Sequence, residues 1–305
     1  MSNLNLEEIP YQKGKIAIVT GANAGLGLQT AIELARKKIK IVMACRNIEK
    51  AEIAKEEILK QVPDAQLDII KIDLSELSSV RNFAKTFLAK YDSLDLLINN
   101  AGVMMPPYQQ TKDGLELQMA ANYFGHFLLT GLLIDVITNT ENSRIISLSS
   151  IAHKNASINF KDMQSERKYL KFGAYGQSKL ACLIFSKELQ RRLEANNKSK
   201  TISVAAHPGA SNTELARHLP KLANFLLTPF LLLVTHSPKN AAKPTLMASL
   251  GNNVAGGDYY GPQGFMEMNG DPGTAKAEPK AYDVLVAKRL WEESEKLTGI
   301  NFLNY

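Results

Sequence analysis

Cysteine is scarce: the 305 residues include two, Cys45 and Cys182, each set in an apolar stretch. That excludes a disulfide framework, and neither they nor the five histidines have metal-ligand spacing. Two buried thiols in a reducing compartment are expected. Charge of one sign is not in large excess, since 36 Lys and Arg face 30 Asp and Glu, a net +6. No basic stripe interleaves with aromatics, so no nucleic-acid partner is expected. Clusters such as Arg36-Lys37-Lys38 and Arg191-Arg192 read as solvated helix faces. The N-terminal MSNLNLEEIPYQKGK lacks the apolar core of a secretory signal, which makes cytoplasmic residence the expectation. No uninterrupted apolar run reaches the roughly 20 residues of a membrane span. The richest, 219–234 (LPKLANFLLTPFLLLV), is broken by Lys221 and Pro229. It reads as a core helix, a lid over an apolar pocket, or a membrane-surface patch making peripheral contact. Linkers, internal repeats and low-complexity tracts are also missing, so one domain is expected over 1–305.

What is present is an alternating pattern. With 45% apolar and 22% charged residues the chain can bury a real core. Short β-rich runs stand at 15–20, 40–45, 67–72, 94–99, 144–149 and 201–206. Helical patterning fills 25–38, 48–61, 76–90, 114–139 and 175–195 between them. Continuous apolar strands separated by crossover helices indicate a doubly wound α/β fold, with a mostly parallel sheet of about seven strands and helices on both faces. Residues 1–14 read as an N-terminal extension, and 252–305 as the last edge strand, its loop and a final helix near 283–298.

The first strand ends in Thr20-Gly21-Ala22-Asn23-Ala24-Gly25-Leu26-Gly27, and a helix follows directly. Glycines let the backbone turn sharply and approach a pyrophosphate, while the helix N-terminus directs amides and a positive dipole end at it. The spacing is G-x-x-x-G-x-G, not G-x-G-x-x-G, but its place after strand one suits a dinucleotide in a Rossmann-type domain. The second strand ends in Ala44-Cys45-Arg46-Asn47. An acidic residue there would bind the ribose hydroxyls of NAD; Arg46 suits the 2′-phosphate of NADP, so NADP(H) is expected over NAD(H).

Tyr175 and Lys179 are four apart in a helical pattern, hence on one face. An ammonium beside a phenol favours the phenolate, which makes the tyrosine an acid/base for neutral pH. Ser149-Ser150 ends strand five, at the sheet edge where ligands bind, and a hydroxyl there can stabilise charge on a carbonyl oxygen or cap the next turn. His153 reads as a pocket-lining residue or as loop structure.

TGANAGLG, NNAG, ANYFGHF, LSS, YGQSK and HPG stand in the order and spacing of the short-chain dehydrogenase/reductase family, which the chain resembles from about residue 15 to 215. INFKDMQ, AYGQSKLA and RLWEESEKLTG are most similar to its retinol-dehydrogenase-like branch. The resemblance implies interconversion of an aldehyde or ketone and an alcohol by hydride transfer with nicotinamide. It implies Tyr175 as acid/base, Lys179 on the nicotinamide ribose, and Ser150 holding the substrate oxygen, with Ser149 the second choice. Asn122 corresponds to the asparagine that holds a water in the proton relay. The cofactor would touch Gly21, Asn23, Ala24, Gly25, Leu26, Gly27, Arg46, Asp73, Leu74, Asn100, Ala101, Gly102, Tyr175, Lys179, Pro208, Gly209 and Thr213. Asn23 stands where NADP users often carry Ser or a basic residue. The resemblance further implies a homodimer or homotetramer and makes 210–235 a substrate lid, whose Leu/Phe content suits an apolar small-molecule substrate, a retinal-like one included. Met104 and Met105 are candidate pocket wall. A non-catalytic NADP(H)-binding regulator on the same fold is the alternative; its mark would be a lost Tyr, Lys or Ser, and none is lost.

Overall fold

Strand–helix alternation produces a sheet whose β1 strand (Ile16–Thr20) lies between β2 (Lys40–Cys45) and β4 (Leu96–Asn99), both parallel to it. The computed structural model describes residues 5–198, 200–209 and 237–304. With β3 (Leu67–Lys71), β5 (Ser143–Leu148), β6 (Thr201–Ala206), β7 (Tyr259–Pro262) and β8 (Pro272–Thr274), the order is β3-β2-β1-β4-β5-β6-β7-β8. The order of strand addition reverses between β1 and β4, and the crevice at the carboxyl ends of such a pair is where an open α/β sheet binds its ligand.

β1 shows why both faces are covered. Ile18 points into one core cluster, and its neighbours Ala17 and Val19 into the other. The first cluster receives α3 (Leu77–Leu88), α5 (Gly125–Thr138), α6 (Lys171–Ala195) and the C-terminal α9 (Val284–Thr298). The second receives α1 (Gly25–Arg36), α2 (Ile48–Gln61) and α8 (Lys243–Leu250); the short α7 (Pro238–Ala241) precedes α8. The two free cysteines are buried, one on each side.

The six strands expected from sequence form within a residue or two of their predicted bounds, and the last strand expected forms as β7, but not at the edge, because β8 pairs outside it. The eighth strand, β8, was missed because Pro272-Gly273-Thr274 carries no apolar run; it pairs antiparallel with β7. The single helix expected over 114–139 is broken: a short α4 (Leu117–Met119) passes through a π-helical turn (Ala120–Phe124) before α5 begins. The Leu117–Thr138 run is long and apolar enough to cross a membrane, but 83% of its most apolar 18-residue window is buried in the protein, which makes it a core element.

A second departure concerns Arg192, expected on a solvated face. It is buried, bonds Glu188 at 2.8 Å and lies 4.2 Å from the Trp291 ring centroid. α6 is covered there by α9, whose Trp291 packs among Phe127, Phe185 and Phe302. Lid segment 210–235, the apolar stretch 219–234 and Thr213 lie outside the described residues.

Candidate active site

Thr20 closes β1 and anchors the turn beyond it. Its hydroxyl oxygen accepts from the Asn100 and Ala101 amides, each at 2.9 Å, and Asn100 Nδ2 donates to the Thr20 carbonyl at 2.7 Å. The ends of β1 and β4 are thereby fastened side by side. Gly21 then turns with φ +69°. A Cβ on Gly27 would stand 2.3 Å from the Gly21 carbonyl oxygen, so no other residue lets α1 start so close under the turn. Ala24 is the N-cap of α1, with no side-chain capping bond and no acidic residue in the first turn. Amides and dipole are left to serve an anion.

This turn forms one end of a cavity of about 660 Å³ along the carboxyl edge of the sheet. Gly21, Asn23, Ala24, Gly25, Leu26 and Gly27 line it, as do Arg46, Asp73, Leu74, Asn100, Ala101, Gly102, Tyr175, Lys179 and Pro208. All the residues expected to hold a dinucleotide, except Gly209 and Thr213, are therefore gathered in one trough. Gly209 stands behind Pro208 against the Met268 carbonyl, not in the wall. Sequence reasoning missed Lys50, Ile53 and Glu57 along the first turns of α2, and Ile72 at the end of β3. Helical spacing from Arg46 would have found Lys50 and Ile53. Arg46 is 68% exposed and stands 3.9 Å from Asp73, a loose surface pair that leaves the guanidinium able to turn toward a ligand.

At the other end, α6 presents Tyr175 and Lys179 to the cavity. Lys179 Nζ donates to the Leu148 carbonyl at 3.1 Å and lies 5.9 Å from the centroid of the Tyr175 ring. Asn122, in the π-helical turn, sits just behind the wall residue Ala121. Its Oδ1 accepts from the Val103 amide at 2.7 Å, and its Nδ2 donates to the Val103 carbonyl and to Ser178 Oγ. A Cβ on Gly102 would meet both Asn122 Oδ1 and Lys179 Nζ within 3.4 Å, so the two side chains flank this residue. Val103 and Met104 line the same end, but Met105 does not; its amide is held by Gln118.

The model of the short chain dehydrogenase family matches residues 15–223. The chain is similar to Retinol dehydrogenase 13 of Mus musculus, with 40% identity over 94% of this chain and 84% of the relative. Retinol dehydrogenase 13 of Homo sapiens is 42% identical over 94% of this chain and 85% of its own length. The chain belongs to the short-chain dehydrogenase family. Its sequence is retinol-dehydrogenase-like. A crystal structure of an uncharacterized protein from Mycobacterium paratuberculosis has the same architecture, at 35% identity and a TM-score of 0.82 over 99% of both chains.

In this short-chain dehydrogenase the two strand-end serines differ in their bonding. Ser149 lines the cavity, and its hydroxyl donates to the Lys179 carbonyl at 2.8 Å. Ser150, expected to hold the substrate oxygen, is buried and stands outside the cavity wall; it caps a 3-10 turn (Ile151–Asn155), where its Oγ accepts from the Ala152 amide at 3.2 Å. His153 is fully buried, with Nδ1 on the Ser150 carbonyl at 2.6 Å, and is loop structure rather than pocket wall. Burial pushes the Cys45 thiol, behind the glycine turn, up to about 11, and raises Cys182 also, so both thiols stay protonated and inert. Among the described residues no group of three or more His, Cys, Asp or Glu side chains is placed to hold a metal.

Proposed function

We propose that the chain is an NADP(H)-dependent oxidoreductase that interconverts an aldehyde or ketone with its alcohol, acting on an apolar small molecule. The observation that carries the reading is that Tyr175 and Lys179 line the same cavity as the glycine turn and Arg46. The trough fits a dinucleotide: Gly21 and Gly27 let the turn and α1 pack closely, the α1 amides are uncapped, and Arg46 with Lys50 supplies cations where a 2′-phosphate would lie.

When bound, the nicotinamide would supply or accept the hydride. The chain's own residues do the rest. Gly21 to Gly27 and Arg46 hold the cofactor's phosphates, and Lys179 orients its ribose. Tyr175 gives a proton to the carbonyl oxygen in reduction and takes it back in oxidation. Of the two serines, Ser150 is the better hydrogen-bond donor to that oxygen. The Ser149 proton is committed to the Lys179 carbonyl, whereas Ser150 Oγ only accepts, from Ala152, which leaves its O–H to give. Met104 and Val103 offer apolar wall beside this end, and the relatives named retinol dehydrogenases point to an apolar alcohol of that kind.

The experiment is an oxidation screen with NADPH over carbonyls of graded size and polarity, with NADH in parallel. Turnover of apolar aldehydes or ketones, faster with NADPH, is expected. Tight NADPH binding with no turnover across the panel would favour a non-catalytic binding protein, and a strong preference for NADH would overturn the reading of Arg46.

A further inference from the structure

His126, on the first turn of α5, is buried between Thr20 and the Asn122 turn, two parts of the site that the segment from Asn100 to Val103 also joins. One ring nitrogen, Nδ1, lies 2.9 Å from the Asn122 carbonyl; the other, Nε2, lies 2.9 Å from Thr20 Oγ1. Thr20, Asn122 and His126 are all at most 3% exposed. Proton counting fixes the direction of each bond. A carbonyl only accepts, so Nδ1 carries the ring proton and donates to Asn122. The Thr20 oxygen already accepts from the Asn100 and Ala101 amides, so toward the ring it can only donate; its one proton faces Nε2 at 2.9 Å and the Ile98 carbonyl at 3.2 Å, and Nε2 is the nearer. A cationic ring would bring a second N–H against an oxygen with no lone pair left. Burial, which holds the His126 pKa down to about 4 and so keeps the ring neutral at physiological pH, agrees with this.

The two ends of this bridge govern different parts of the site. Thr20 fastens the ends of β1 and β4, from which the glycine turn and Asn100–Ala101 reach the cofactor trough. The Asn122 carbonyl also accepts from Cys182 Sγ at 3.2 Å, while the Asn122 side chain pins Val103 beside Lys179.

We infer that His126 is a positioning residue that sets the Asn122 turn, and through it the Lys179 end of the site, in register with the cofactor-binding turn. The inference rests on the functional reading given above. It assigns His126 no contact with substrate or cofactor; the ring acts through Thr20 on one side and Asn122 on the other. An apolar ring of the same shape would fill the space and leave the Thr20 hydroxyl and the Asn122 carbonyl each short of one buried hydrogen bond.

Two substitutions separate the arms. His126→Asn keeps a donor near the Nδ1 position and loses the acceptor for Thr20. His126→Gln keeps an acceptor that reaches Thr20 and loses the donor to Asn122. Dissociation constants for NADPH, measured directly by its fluorescence, are compared with kcat on a carbonyl that the wild type reduces, and thermal midpoints are recorded for all. Losing one buried hydrogen bond corresponds to about a tenfold effect. His126→Asn is expected to weaken NADPH binding by about tenfold with kcat within about twofold. His126→Gln is expected to lower kcat by about tenfold with NADPH affinity within about twofold. Parallel changes in both constants that track the thermal midpoint, or no change in either, would overturn the inference. Should either variant fail to fold, the other carries the test alone: a change confined to its own constant is expected, and a parallel change in both constants, or in neither, would count against the bridge. Failure of the wild type to turn over any carbonyl would remove the functional reading, whereas the NADPH-affinity arm would still report on the bridge.

Discussion

Lys179 Nζ stands 5.9 Å from the centre of the Tyr175 ring while donating to the Leu148 carbonyl at 3.1 Å. The charge is thus held by the end of β5 and faces the phenol from one helical turn away, with the cofactor trough open to both. Replacing Lys179 by Met removes the cation and keeps most of the stem. We expect kcat/KM to fall by at least about 100-fold, with weaker NADPH binding, whereas Lys179→Arg should recover a part of the binding but little of the rate. Steady-state kinetics beside fluorescence titration would check this; unchanged turnover in the Met variant would remove Lys179 from the proton chemistry.

If NADP(H) is the cofactor as proposed, its choice over NAD(H) should turn on Arg46. Arg46→Ala should raise the KM for NADPH by about 10- to 100-fold, the worth of a charge-assisted bond to a phosphate, and leave the KM for NADH nearly unchanged. Equal effects on the two cofactors would show that the guanidinium does not read the 2′-phosphate.

Gly27→Ala tests the glycine turn. The new Cβ would meet the Gly21 carbonyl oxygen at 2.3 Å, and since that atom is backbone the turn itself must shift. The expected result is a soluble, folded protein whose NADPH affinity is reduced by well over about tenfold. Wild-type affinity in calorimetric titration would mean that α1 does not hold the pyrophosphate.

The buried histidines predict a pH dependence of stability. His126 is held from the ordinary 6.5 down to about 4, chiefly by burial, with Lys179 adding repulsion against an opposing bond to the Asn122 carbonyl. Burial lowers His153 and His207 in the same sense. Between pH 6.5 and 4 the unfolded chain binds protons at His126 that the folded chain refuses, so stability falls as pH drops through that window. Denaturant unfolding at pH 7.5, 6 and 5 should show this slope, and His126→Asn should flatten it without abolishing it. An identical slope in the variant would contradict the buried, neutral state of the ring.

Most of the cofactor trough was legible in the sequence because its parts are local. The turn from Gly21 to Gly27 announces itself by glycine spacing after an apolar strand, Arg46 by its place at the end of the next, and Tyr175 and Lys179 by a separation that puts them on one helix face. What stayed hidden depends on partners far along the chain. Thr20 and His126 are 106 residues apart, and nothing local to either points to the other. Arg192 looked solvated because the helix that buries it, α9, begins at Val284, far beyond it in sequence. The π-helical turn at Asn122 left no mark in the apolar pattern, which runs unbroken through it. Ser149 and Ser150 were told apart by resemblance alone, and their unequal hydrogen bonding became visible only in the fold.

The central claim is that Tyr175 moves the proton in a reaction for which the rest of the site holds the cofactor. Tyr175→Phe removes one hydroxyl and leaves the ring, so the direct measurement is kcat on a carbonyl reduced by the wild type, set beside NADPH affinity for the same two proteins. A loss of at least about 100-fold in kcat is expected, with affinity unchanged within about twofold. Turnover within a few-fold of the wild type would contradict it.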